Sequence, residues 1–262
     1  MRTGIQSEFG LSGRVLLTLF SHVAARPDPQ VDLAQAALLI GEEEMPGLDT
    51  GKYIRVLDEL GRQAAGEIER AKSLSRESGS SFRPIDHLLR WMFEEAEFQG
   101  NTIDYYDPRN SFLSCVLDRR MGIPISLAVV LMEIGRRVGI EVQGVSFPGH
   151  FLARAEGTRG PIFINPFDGR ILKREDLRNL NARAVGDKRD PDPRLLEPAT
   201  KRQILVRMLS NLRGIYAARG DRERLRSVLE RMDVLAPSEE LREKLEELGG
   251  SSPWPSAGFT LN

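Results

Sequence analysis

His150 stands in Phe147-Pro148-Gly149-His150-Phe151, a turn sequence that sets an imidazole between two predicted strands. Fifteen residues on, Asn165 lies in Phe163-Ile164-Asn165-Pro166-Phe167; 24 residues before His150 comes Ser126, in the first turn of an apolar helix. A hydroxyl at a helix N-terminus gains from the positive end of the macrodipole and from free backbone N–H groups that hold an oxyanion. An imidazole on a neighbouring strand serves such a nucleophile as base, and an amide on the next strand fixes its tautomer. The chemistry of this set is acyl transfer. Each member also has a plainer use: Ser126 as a capping hydroxyl worth about 1 kcal/mol, His150 as a hydrogen bond across the sheet, Asn165 as the first half of an Asn-Pro turn. For Ser126 the capping use is preferred.

Cys115, the sole cysteine, lies between apolar residues in the helix before Gly122 and is expected to be a buried thiol rather than a nucleophile. One cysteine excludes an internal disulfide and a multi-thiolate metal site. His22, His87 and His150 are scattered without ligand spacing, so neither metal nor cofactor is expected. Asn110, Arg119 and Arg120 could line a polar pocket near the helix start. Pairing of the arginines with Asp107 and Asp118 is expected, because a buried guanidinium without a carboxylate is costly.

Several elements must position these residues. Asp32 opens and Gly41 closes a helix rich in alanine and leucine. Tyr53, Ile54, Val56, Leu57, Leu60, Ala64 and Ile68 recur at steps of three and four, predicting a long amphipathic helix over 50–76. Pro84 opens another, with Leu88, Leu89, Met92, Phe93 and Ala96 facing the core. Phe112, Leu113, Val116 and Leu117 make a short helix. Gly122-Ile123-Pro124 interrupts it, and residues 126–138 form an almost wholly apolar helix, expected to be buried and central. Strand-like pieces follow at 141–147, 151–155 and 161–164, with turns at Pro148-Gly149 and Asp168-Gly169. Proline-rich Asp187–Pro198 reads as a linker. Beyond it lie apolar stripes at Ile204–Tyr216, Leu225–Leu235 and Leu241–Leu248, then a tail from Gly249 rich in Ser, Pro and Gly.

The 262 residues are 40% apolar and 29% charged, with 37 basic against 38 acidic side chains, which excludes disorder and a polybasic coat for the chain as a whole. No apolar run approaches the ~20 residues of a membrane span, and the N-terminus lacks a signal-peptide pattern; a cytoplasmic protein is expected. Charge is uneven: Arg170–Arg231 holds 17 basic and 9 acidic residues, facing an acidic N-terminal third. No groove-entering motif or stacking platform accompanies it, so mutual neutralisation is preferred to a nucleic-acid partner.

A family resemblance rests on Asn110-Ser111-Phe112-Leu113, Val116-Leu117-Asp118-Arg119-Arg120, Gly122-Ile123-Pro124-Ile125-Ser126-Leu127, Gly144-Val145, Phe147-Pro148-Gly149-His150-Phe151-Leu152 and Asn165-Pro166-Phe167. These blocks, with Phe98-Gln99-Gly100-Asn101 and Asp104-Tyr105-Tyr106-Asp107-Pro108-Arg109 upstream, resemble the SirB-type transglutaminase-like family over residues 28–248. The C-terminal helices resemble one tetratricopeptide repeat, with Tyr216 at its helix-A tyrosine, Gly220 at the turn and Pro237 at the terminal proline. The resemblance implies an α+β, predominantly helical fold: a papain/transglutaminase-like core, with a central helix on a small antiparallel sheet, plus a helical hairpin of tetratricopeptide type. Residues 1–186 would form the core with its N-terminal helices, 187–199 a linker, 200–248 the repeat-like helices and 249–262 a flexible tail.

The same resemblance puts Pro124 where such enzymes carry the catalytic cysteine, and Asn165 where most relatives carry aspartate. It therefore implies a non-catalytic binding module for a protein or peptide, with Ser126, His150 and Asn165 as a vestigial triad and Asn110, Arg119, Arg120, Pro124 and Phe151 as binding residues. The alternative is a serine-dependent amide or ester hydrolase, or acyltransferase, using Ser126-His150-Asn165; a basic-surface nucleic-acid binder comes third.

Overall fold

Asp32 and Asp49 accept the backbone N–H groups of Gln35 and Lys52, and so start α1 (Leu33–Gly41) and α2 (Thr50–Ser78). The computed structural model describes residues 17–42 and 44–249. Residues 17–24 are also helical. α3 (Pro84–Arg90) opens on its proline and continues through a π-type turn, Trp91–Glu95. β1 (Gln99–Gly100) precedes a loop that ends in a 3-10 turn, Pro108–Asn110. α4 (Leu113–Arg119), β2 (Met121–Gly122) and α5 (Pro124–Arg137) follow.

α5 is the central helix that its apolar run predicts, and it begins on Pro124 at the position where a missing N–H costs nothing. It packs against α2, α4, α1 and the sheet, so residues 124–131 are all buried. The sheet has the order β3 (Val142–Val145), β4 (Leu152–Gly157), β5 (Gly160–Asn165), β6 (Arg170–Leu172), all antiparallel. Strand alternation divides its side chains between two cores. Ala153, Ala155 and Ile164 join the main core, while Val145, Leu152, Phe163 and Leu172 form a smaller one with Leu177 of α6 (Arg174–Val185).

α7 (Lys201–Arg219) starts on a reciprocal Thr200–Gln203 cap and turns at Gly220, whose φ of +66° suits glycine, into α8 (Arg222–Leu235). α9 (Glu239–Glu247) packs on α8. Together these make a helical hairpin with one further helix. Their apolar residues belong to the same cluster as α1 and α5. Tyr216 donates to Glu44, which Arg224 also meets at 2.5 Å, tying the hairpin to the α1–α2 connection. Ala199, in the proline-rich stretch, donates from its backbone N–H to Gly144 of edge strand β3.

The expected α+β arrangement, mostly helical with a small antiparallel sheet, is the one found. The β1–β2 parallel pair, β6, α6 and the helical stretch at residues 17–24 were not anticipated. The expected flexible tail lies, from residue 250 on, outside the described residues. No helix among those described is long and apolar enough to cross a membrane.

Candidate functional site

The tip of α5 is held by a buried polar knot. Ser126 is fully enclosed. Its Oγ donates to the Asn110 carbonyl at 2.6 Å and accepts the Ile123 N–H at 3.1 Å. It therefore sits two residues inside the helix, reaching back to the residue ahead of Pro124, rather than at the N-cap itself. Asn110 in turn donates from Nδ2 to the carbonyls of Asp104 and Tyr105 and accepts from Asn101 Nδ2 at 3.0 Å. Asn101 Oδ1 accepts the N–H groups of Ile103 and Asp104. Each buried amide is thus satisfied, and loop 101–106 is clamped to the helix tip.

His150 and Asn165 meet as expected: Nε2 lies 3.0 Å from Asn165 Oδ1, and the Phe167 N–H shares that oxygen. Both side chains are partly exposed. Two backbone bonds link this pair to the helix tip. The Gly100 N–H donates to Phe167, and the Asn101 N–H to Gly122. Gly100 must be glycine here, because a Cβ would lie 2.3 Å from the Phe167 ring. His150 and Ser126 make no hydrogen bond with each other. The Ser126 proton is committed to a buried carbonyl.

The other sequence candidates take positions around this frame. Asn110, Pro124 and Phe151 are buried beneath the site. Phe151 packs beside Gly144 and Ile204. Arg119 pairs with Asp107 at 3.5 Å, as anticipated. Burial alone pushes the Asp107 carboxyl up, but the hydrogen bonds from Arg109 and the charges of Arg109 and Arg119 outweigh it and hold the group below the usual range. The expected pairing of Arg120 with Asp118 is replaced by a cation–π contact: its guanidinium lies 4.6 Å from the centre of the Phe98 ring. Burial pulls that guanidinium's affinity for its proton down, with Asp118 opposing. Asp118 instead accepts from the Tyr53 phenol at 2.6 Å. The Cys115 thiol faces Met45 sulfur at 3.7 Å, and burial raises it away from the thiolate form.

A groove of 440 Å³ opens beside the tip, between Tyr105 and Tyr106 on one wall, Ile123 at the helix start, and Asn211, Gly214 and Ile215 of α7. Tyr106, on this wall, is 71% exposed, and Ile103 in the same loop is 93% exposed. Arg219 holds the wall from the far side by donating to the Tyr106 carbonyl. This groove was not read from the sequence. Its available signals were the Tyr105-Tyr106 pair in a polar loop and a glycine in mid-helix. Among the described residues, no group of three His, Cys, Asp or Glu is placed to hold a metal ion.

A buried helix whose tip abuts an antiparallel sheet carrying an amide-oriented histidine defines a transglutaminase-like core. The chain belongs to the transglutaminase-like superfamily, whose family model matches residues 52–210. It is 37% identical over 233 residues to a UPF0162 protein of Xylella fastidiosa, covering 86% of this chain and 79% of that one. It is 36% identical over 190 residues to a UPF0162 protein of Pseudomonas aeruginosa, covering 72% and 66%. The human F-box only protein 21 is 30% identical over 145 residues, which is 52% of this chain but 22% of that protein. No solved structure gives a significant match.

Proposed function

We propose that this chain is a cytoplasmic, non-catalytic binding module that uses a transglutaminase-like cleft to hold a protein or peptide segment. The observation that carries this is the state of Ser126: its hydroxyl is enclosed and spends its proton on Asn110, while Pro124 occupies the place where the family resemblance expects a thiol. An oriented imidazole then has no nucleophile to activate. Two features support binding as the retained role. The open groove beside the helix tip is of ligand-pocket size, and a block of the same kind recurs within the much longer F-box only protein 21. The finer kinship is with the SirB-type branch. The C-terminal hairpin acts as a single tetratricopeptide-type repeat that braces the cleft rather than forming a groove of its own.

The test is labelling with a serine-directed fluorophosphonate. Ser126 should stay unmodified, and Ser126→Ala should change stability without removing any turnover. The rival, a Ser126-His150-Asn165 hydrolase or acyltransferase, is favoured by the 3.0 Å His150–Asn165 bond. It requires Ser126 labelling that disappears in His150→Ala, and that result would sink the binding-only reading.

A further inference from the structure

We infer that the groove between Tyr105–Tyr106 and α7 takes a short acidic peptide, seating one large apolar side chain against Ile123, Gly214 and Ile215 while flanking carboxylates meet Arg207 and Arg219. This rests on the non-catalytic reading above and gives its partner a chemistry.

The groove is open for want of a side chain. Gly214 lies in the middle of α7 with ordinary helical backbone, and a Cβ there would meet nothing within 4 Å. No turn or close approach requires glycine, and glycine weakens a helix interior. What its absent side chain provides is depth in the groove. The opposite wall is tied down before any ligand arrives: Asn101 and Asn110 hydrogen-bond loop 101–106, and Tyr105 stands edge-on to Tyr106 with ring centres 5.4 Å apart. A wall held in place before binding spares the ligand the cost of ordering it. Tyrosine and arginine are also the side chains that interfaces favour.

Charge selects the partner. Elsewhere in the basic C-terminal half, Arg170, Arg174, Arg189, Arg194 and Arg224 each hold a carboxylate. Arg207, which acts electrostatically on Tyr105, and Arg219, which lines the groove, form no ion pair among the described residues. Arg219 lines one end of the groove, and Arg207 lies one helical turn before the lining residue Asn211 on the same face of α7, about 18 Å from Arg219 at the helical rise. Five or so residues of extended chain cover that distance. An apolar side chain between two acidic positions fits both the lining and the unmatched charges.

Panning a displayed library of random short peptides on the full-length chain tests this, followed by fluorescence anisotropy of the selected peptides. The expected consensus is Phe, Tyr, Trp or Leu flanked by Asp or Glu. Gly214→Leu should weaken binding at least ~10-fold by filling the groove, and Arg207→Glu about fivefold at low salt, with the difference fading at high salt. Gly214→Leu should melt no lower than wild type, since leucine is the better helix former, so its loss of binding is not misfolding. No enrichment, a basic consensus, or undiminished binding to Gly214→Leu each overturn the assignment. A selected peptide that is cleaved, or becomes covalently attached, overturns the non-catalytic reading instead and leaves the groove's specificity standing.

Discussion

Replacing Ser126 with alanine removes one oxygen from a fully enclosed polar cluster. Ser126 and Asn110 are both fully buried, so no water replaces the lost partner. The Asn110 carbonyl loses a donor at 2.6 Å and the Ile123 N–H an acceptor at 3.1 Å. Each orphaned buried group costs about 1–3 kcal/mol. With some local adjustment the sum is about 2–4 kcal/mol. For a chain of this size each kcal/mol lowers the melting midpoint by about 2–4 °C, so a fall of roughly 4–16 °C is expected. Calorimetry and urea unfolding measure it, the latter as a lower midpoint at constant slope. A catalytic serine predicts the opposite pattern: little change in stability, with loss of an activity. A shift below about 1 °C would refute the structural role argued here.

Gly214→Ala should raise stability by about 1 kcal/mol, since the new methyl enters open space on a helix interior, and thermal unfolding reads it directly. Gly100→Ala should cost about 1–3 kcal/mol by forcing the Phe167 ring away, and should also broaden or shift the NMR signals of His150, because the Asn165–Phe167 turn hangs on that contact. Asp107 governs an acid limb. Its carboxyl is depressed, so its contribution is full above the unfolded value near 4 and is lost as pH falls through the lower folded value. Asp107→Asn should therefore flatten the fall of the melting midpoint below about pH 4 while leaving the curve between pH 5 and pH 7 level with wild type, apart from a constant offset.

How far the site was legible in the sequence differs from residue to residue. The His150–Asn165 meeting follows from strand alternation: Ala153 pairs with Ile164, which brings the turn before β4 beside the end of β5. The direction of the Ser126 hydroxyl does not follow, because its acceptor is a carbonyl sixteen residues away, in a 3-10 turn of a polar loop. Arg120 looked like a partner for Asp118, but Tyr53, on a helix 65 residues upstream in the chain, reaches that carboxylate first.

Local rules determined α1, α2 and α5 and most of the sheet, because caps, prolines and apolar periods of 3.6 or 2 are properties of neighbouring residues. α6 carries only Leu177 and Asn181 into the interior, too little for a stripe, and β1 and β2 are two residues each, shorter than any periodic signal. Packing alone decided those. It also decided the groove, which exists only because a loop, a helix start and a mid-helix glycine from three distant stretches meet. Such a space is bounded by atoms whose separation in sequence carries no periodicity, so nothing short of the folded chain could reveal it.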